Sequence, residues 1–155
     1  MFVLDNITVA NLKGVHDDLV RVVKDLAANG QMPFSFGISQ GLRTIAQQKL
    51  DVASGKSQTM NSRHLDGHAV DFVVLVNGRS TWDWAPYYIL ADQVRAAGLR
   101  CNIPLIWGGC WDKETADWTE QAAYESAAYV LRSRDKGGHG FVDGPHLELP
   151  RRVYP

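Results

Sequence analysis

The chain has 155 residues, of which 45% are hydrophobic and 21% are charged, so it suits one folded domain and excludes a disordered polymer. Its formal net charge of −1 excludes the basic excess that general nucleic-acid binding needs. The N-terminus carries no basic segment before an apolar run, and no stretch approaches the ~18–20 apolar residues of a membrane helix. We therefore expect synthesis in the cytoplasm without a signal peptide and no stable membrane insertion.

The first half of the chain alternates helical and extended patterns. Apolar residues at helical spacing predict a helix over 11–29 that ends at Gly30. Residues 33–38 predict a short strand, and residues 43–53 predict a helix that ends at Ser54-Gly55.

The second half begins with a β-branched run over 69–76, which closes with the hairpin-type turn Asn77-Gly78. The remaining predicted elements are a helix over 83–97 that ends at Gly98, a strand over 103–107, a helix over 114–134 and a strand over 146–149. Because helices and short strands mix without a regular βαβ alternation, we predict an α+β fold in a single domain over 1–155.

Two segments carry side chains that suit a catalytic metal, SRHLDGHAVD over 62–71 and DGPH over 143–146. Zinc accepts imidazole nitrogen and carboxylate oxygen, and a catalytic site typically has three protein ligands and one position for water. His64 and Asp71 are separated by a glycine turn that can bring both side chains to one point, and His146 completes the set from a distant strand. We predict one Zn²⁺ ion held by these three residues.

Two further residues suit the chemistry of metal-assisted hydrolysis. Asp143 precedes His146 across Gly-Pro, a bend that can place its carboxylate near the metal as a general base without making it a ligand. Arg43 supplies a fixed positive charge that can polarise a scissile carbonyl or stabilise an oxyanion.

Other interpretations of these residues stay open at this point. A lone histidine is more often structural than a ligand, Asp71 can cap or pair, and Arg43 can lie on the surface. His64 and His68 also share the spacing of a helical HExxH motif, but Leu65 replaces its glutamate and Gly67 weakens the helix. We therefore expect His68 at the rim of the site. The two cysteines, Cys101 and Cys110, form no CxxC pair and are predicted to be free thiols.

The segment 62–71 fits the pattern SxHxxGxAxD, and Asp143 to His146 fits an acidic residue three positions before a histidine. The segment 41–47 and Trp107-Gly108-Gly109-Cys110-Trp111 add an arginine segment and a Gly-Gly-x-Trp segment. Together these resemble the zinc D-Ala-D-Ala carboxypeptidase and L-alanyl-D-glutamate endopeptidase family, which includes VanY-like enzymes and many phage endolysins.

The resemblance implies an antiparallel sheet that floors a zinc cleft, with helices packed around it, as in hedgehog-like and DD-peptidase folds. It implies zinc ligation by His64, Asp71 and His146, and catalysis by Asp143 and Arg43. It places Ser62, Trp107 and Trp111 around the ligands or the substrate. Residues 112–139 depart from the compact endolysin pattern and are expected to form a helical insertion.

The function implied is that of a phage-type endolysin, a zinc endopeptidase that cuts the L-Ala-D-Glu bond of peptidoglycan stem peptides. One alternative is a D-Ala-D-Ala dipeptidase or carboxypeptidase that trims stem peptides. A second, from another class, is a non-catalytic hedgehog-like zinc-binding module. We expect a monomer that needs a holin or another permeabiliser to reach the cell wall.

Overall fold

The structure is a computed structural model that describes residues 2–155, which form five α-helices and a five-stranded antiparallel sheet. The helices are α1 (Asn6–Asn11), α2 (Asp17–Asn29), α3 (Ile45–Ala53), α4 (Trp84–Cys101) and α5 (Ala122–Asp135). The strands are β1 (Ser35–Gln40), β2 (Ala69–Val76), β3 (Arg79–Thr81), β4 (Ile106–Trp107) and β5 (His146–Glu148). The predicted α+β class and the antiparallel sheet are confirmed.

Strand β2 is the centre of the sheet, whose order is β1-β2-β5-β4, with β3 paired to the end of β2. Its side chains alternate, so Val70, Phe72 and Val74 are buried while Asp71 lies on the opposite face. The predicted hairpin turn at Asn77-Gly78 joins β2 to β3, with both residues at positive φ. The alternation thus gives the sheet one face for the core and one for polar side chains.

Helices α2 and α4 pack against each other, and their buried residues form one hydrophobic core with those of the sheet. Leu19, Val22 and Leu26 of α2 are fully buried, at the spacing of one helical face. Helix α5 packs on α4, and α1 packs on β1. Within residues 2–155, no helix combines the length and the apolar character that crossing a membrane requires.

The predicted helix over 11–29 is wrong at its start, because the chain forms two helices there. Helix α1 ends at Asn11, a turn follows, and His16 caps α2 by accepting a hydrogen bond at Nδ1 from the amide of Asp18 (3.2 Å). The apolar pattern continues through the turn because Leu12 and Val15 are buried there. Periodicity alone therefore could not reveal the break, whereas the predicted stop at Gly30 is confirmed.

The helices of the second half also differ from their predicted bounds. Helix α4 continues past Gly98 to Cys101 and ends at left-handed Asn102. A side chain at position 98 would collide with Leu105, so this glycine allows close packing and does not stop the helix. Helix α5 begins at Ala122 and not at 114, because the preceding segment is a loop with a short 3₁₀ turn over Thr115–Asp117. The predicted strand over 103–107 is reduced to Ile106–Trp107.

Candidate metal centre

Two neighbouring strands place the carboxylate of Asp71 and the imidazole of His146 side by side. Asp71 of β2 and His146 of β5 are direct partners in the antiparallel register. His64 lies just before β2 in a 3₁₀ turn over Arg63–Asp66, which Gly67 ends at φ 75°. A Cβ atom at Gly67 would lie 2.3 Å from the carbonyl oxygen of Gly14, so only glycine fits this turn. One ligand atom from each of His64, Asp71 and His146 lies within 4.8 Å of the others.

The hydrogen bonds of His64 fix which ring nitrogen faces the cluster. Its Nδ1 lies 2.8 Å from the carbonyl oxygen of Gly41, and because a carbonyl only accepts, Nδ1 carries the proton. In the neutral ring, Nε2 then presents a lone pair 3.3 Å from Oδ2 of Asp71. This buried Nε2 has no hydrogen-bond partner within residues 2–155. A lone pair facing a carboxylate is unfavourable by itself and is the arrangement that a cation between them stabilises.

His146 is oriented from both sides of its ring. Its Nδ1 lies 3.3 Å from Oδ1 of Asp71, and its Nε2 lies 2.8 Å from Oε2 of Glu148. Burial alone would lower the pKa of His146, but the bonds to these two carboxylates outweigh burial and raise the pKa to about 9. Glu148 is the residue that orients the ring, and it lies outside the site residues predicted from the sequence. Its position two residues after His146 on a strand, and hence on the same face, was the available clue.

The charges of the cluster also suit a divalent cation. Asp71, Asp143 and Glu148 bring three carboxylates to the cleft, where Arg43 is the nearest fixed positive charge. Burial favours the neutral acid of Asp71, but hydrogen bonding and charge, foremost from His146, outweigh burial and hold the pKa of Asp71 well below its usual range. The donor set of two imidazoles and one carboxylate is one that catalytic zinc uses. The residues present therefore fit a zinc ion.

Arg43 lies at the cluster but is held by its neighbours. Its Nη1 donates to Gln48 (2.6 Å) and its Nη2 to Gln40 (2.5 Å), while Nε lies 3.3 Å from Asp51. Its Nη2 is also 3.7 Å from Oδ2 of Asp71. Gln40 reaches this place because β1 bulges after Ile38, so that Gln40 stands opposite Asp71 in the register. The guanidinium is thus a fixed charge beside the carboxylate.

The turn over 143–146 is hydrogen-bonded to Trp107 and Gly108, at the end of the neighbouring strand β4. The amide of Asp143 donates to the carbonyl of Gly108 (2.8 Å), and Nε1 of Trp107 donates to the carbonyl of Gly144 (2.7 Å). A Cβ atom at Gly108 would lie 2.2 Å from the carbonyl oxygen of Asp143, so this close approach requires glycine. Burial, followed by the charge of Asp71, raises the pKa of Asp143. A raised pKa suits a carboxylate that takes and returns a proton.

The cleft has two halves that meet at the cluster. The α3 half, of about 520 Å³, includes Gln40, Gln47 and the exposed Trp82. The aromatic half, of about 590 Å³, includes Trp111, Tyr129 and Phe141 and residues of the segment 56–62. The residues that line both halves are Arg43, Lys56, Asp71 and Asp143.

The other predicted site residues divide into two groups. Ser62 caps the 3₁₀ turn by accepting from the amide of His64 (3.3 Å), and Trp111 packs its ring 5.1 Å from that of His146. The structure does not bring His68 to the cluster, because its Nδ1 pairs with Asp66 (3.0 Å) and its ring packs on His16. Trp107 is likewise a core residue that acts on the site only through its bond to Gly144.

Comparisons with known proteins agree with this geometry. A family model described as phage L-alanyl-D-glutamate peptidase matches residues 1–150. The L-alanyl-D-glutamate peptidase of Escherichia phage T5 is 31% identical over 121 residues, which cover 76% of this chain and 77% of that protein. That of Listeria phage A118 is 32% identical over 117 residues, which cover 76% of this chain but 31% of that protein. The crystal structure of Serratia marcescens L-Ala D-Glu endopeptidase ChiX matches with a TM-score of 0.71 and 36% identity, and the match covers 97% of this chain and 91% of that one.

Proposed function

This chain belongs to the phage L-alanyl-D-glutamate peptidase family, and from that premise we propose how its cleft performs the reaction. The chain is an endopeptidase that hydrolyses the bond between L-Ala and D-Glu in the stem peptides of bacterial peptidoglycan. The non-catalytic hedgehog-like alternative is therefore wrong. The observation that carries the proposed mechanism is the convergence of His64, Asp71 and His146 on one point.

We propose that these three side chains hold one zinc ion. The support is the unpartnered Nε2 of His64, the carboxylate of Asp71 between two imidazoles, and the carboxylates of Asp143 and Glu148 in the same cleft. When bound, zinc supplies a Lewis acid and makes water a better nucleophile at neutral pH. Glu148 keeps the ring of His146 turned toward Asp71, and Gly41 does the same for His64.

The chain's own residues then handle the proton and the charge. Asp143 takes a proton from the attacking water and delivers it to the nitrogen of D-Glu as that nitrogen leaves. Its raised pKa makes it a stronger base toward the water than an ordinary aspartate. Arg43 places its positive charge where the carbonyl oxygen of L-Ala becomes negative, and its bonds to Gln40 and Gln48 keep it from moving during the reaction. Trp111 and Phe141, whose rings stack 6.2 Å apart, wall the aromatic half of the cleft.

The position of the cut distinguishes this activity from the carboxypeptidase alternative. Purified peptidoglycan digested with the enzyme should yield new N-terminal D-Glu by mass spectrometry, without loss of D-Ala. Release of D-Ala or D-Ala-D-Ala would overturn the endopeptidase assignment. The Asp143→Asn variant is the matched blank, because it keeps the proposed zinc ligands and lacks the base.

We also propose that the enzyme acts as a monomer and reaches the wall after another protein has opened the membrane. The support for a monomer is that the described residues assemble a complete ligand set within one chain. Expression in a Gram-negative host with and without a membrane-permeabilising protein tests access to the wall. Lysis should require the permeabiliser, and lysis without it would contradict this part of the proposal. Size-exclusion chromatography with light scattering should give the monomer mass.

A further inference from the structure

Four cationic side chains line the cleft, and three of them already have partners. Arg43 is held by Gln40 and Gln48, and Arg63 donates to Asp66 (3.0 Å) and to backbone carbonyls. Arg151 donates to the carbonyl oxygen and Oδ1 of Asn61 (3.2 and 3.1 Å). Lys56 lines both halves of the cleft and is exposed, and it makes no ion pair or side-chain hydrogen bond within residues 2–155.

The backbone around Lys56 is fixed, although its side chain is exposed. The amide of the next residue, Ser57, donates to the carbonyl of Asp51 (3.1 Å) at the end of α3. The fully buried Gln48 donates from Nε2 to Oγ of Ser57 (2.9 Å) and to the carbonyl of Thr59 (2.6 Å). The same Gln48 side chain accepts a hydrogen bond from Arg43. One amide group therefore connects the loop at Ser57 and Thr59, next to Lys56, with Arg43 in the cleft.

The substrate carries a free carboxylate next to the scissile bond. D-Glu is joined to L-Ala through its α-nitrogen and to the third residue through its γ-carboxyl, so its free α-carboxylate sits on the carbon that bears the scissile nitrogen. A carboxylate so close to the scissile bond would lie near the acidic Asp143 in the junction of the two halves, where the other cation, Arg43, is already held by Gln40 and Gln48. Repulsion between like charges disfavours that placement unless a cation compensates.

We propose that Lys56 is a specificity-determining residue that binds the α-carboxylate of D-Glu beside the scissile bond. This inference rests on the proposed function. An ammonium on a flexible stem suits an anion whose position shifts during the reaction, because it acts as a point charge without demanding a fixed geometry. The enzyme should therefore discriminate against walls whose D-Glu is amidated to D-isoglutamine, since the amide removes the charge that Lys56 recognises.

Two blocked peptides test the inference, N-acetyl-L-Ala-γ-D-Glu-L-Lys and its D-isoglutamine analogue. Wild type should cleave the free acid with a kcat/KM roughly tenfold higher, the effect of one partly exposed charge-assisted hydrogen bond. Lys56→Met should bring the ratio close to one by slowing cleavage of the acid only, and Lys56→Arg should restore part of the preference. Lys49→Met is the matched control, because Lys49 is exposed on α3 outside the cleft lining and should leave the ratio unchanged.

The possible outcomes distinguish failure of the proposed role of Lys56 from failure of the endopeptidase assignment. Cleavage of both peptides at the L-Ala-D-Glu bond without preference, or an unchanged preference in Lys56→Met, would overturn the role of Lys56 and leave the endopeptidase assignment intact. Failure of wild type to cut either peptide at that bond would overturn both. Because the readout is a ratio between two substrates of one folded variant, a general loss of activity cannot imitate the expected result.

Discussion

Replacement of Gln48 by methionine should destabilise the protein by disconnecting Arg43 from the wall of the cleft. Gln48 is fully buried, and its amide makes three hydrogen bonds. It accepts from Nη1 of Arg43 at 2.6 Å and donates to Ser57 and Thr59 at 2.9 and 2.6 Å. Methionine has a similar volume and flexible shape but offers no equivalent donor or acceptor. The substitution therefore removes hydrogen bonds while leaving packing nearly unchanged.

The magnitude follows from those three bonds. At a net contribution of ~1 kcal/mol each, Gln48→Met should lower the free energy of unfolding by about 3 kcal/mol. For a chain of this length, each kcal/mol lowers Tm by ~2–4 °C, so we expect a Tm lower by about 6–12 °C. Calorimetry or thermal circular dichroism measures the shift. Because His64, Asp71 and His146 are untouched, the variant should retain zinc. Its kcat/KM should fall, because Arg43 and the loop that carries Lys56 are no longer held in place.

The neighbouring residue provides a matched control. Gln47 is exposed, and its amide makes one hydrogen bond, to Asp51 at 2.8 Å. Gln47→Met should therefore cost about 0.5 kcal/mol or less, which is typical of a surface substitution. Equal Tm values for Gln48→Met and Gln47→Met would refute the claim that the buried amide is a structural link.

Three further predictions concern individual groups. Asp143→Asn should keep its bound zinc and lose ~10²–10⁴-fold in turnover, as measured by metal analysis and peptide cleavage, and wild-type turnover would exclude Asp143 as the base. Glu148→Ala should weaken zinc binding by ~10–100-fold in a chelator competition, because the ring of His146 loses its orienting carboxylate, and unchanged affinity would contradict that role. Burial, with Asp112 nearby, raises the pKa of the Cys110 thiol to about 11. This thiol should therefore resist a disulfide reagent at pH 8 until the protein unfolds. Rapid labelling of the native protein would contradict its burial.

Local patterns in the sequence were sufficient for much of the fold. The β-branched run over 69–76 and the Asn77-Gly78 turn give β2 and its hairpin as predicted, because strand propensity and turn chemistry agree there. Helix α3 ends at Ser54 as predicted. The helix that was predicted to end at Gly98 continues to Cys101. The glycine there makes room for Leu105, a tertiary contact that no local pattern contains, and is not a stop signal.

The site, like the fold, was predictable from the sequence only in part. The segment 62–71 and His146 were predicted together, and the structure brings their ligand atoms together. The predicted place of His68 at the rim was not found, because its ring pairs with Asp66 and packs on His16, and spacing along the chain does not reveal the contact with His16. Gln48 was not identified as a link to Arg43, because a glutamine on a helix resembles any surface residue until its burial is known.

The most direct test of the proposed centre compares two histidines of the same segment. His64→Ala and His68→Ala remove the same side chain four positions apart, one inside the cluster and one packed on His16. Zinc per chain and cleavage of the L-Ala-D-Glu bond should both be lost in His64→Ala, and both should remain in His68→Ala. Asp71→Ala and His146→Ala should behave as His64→Ala does. Full zinc occupancy and activity in His64→Ala would contradict the account.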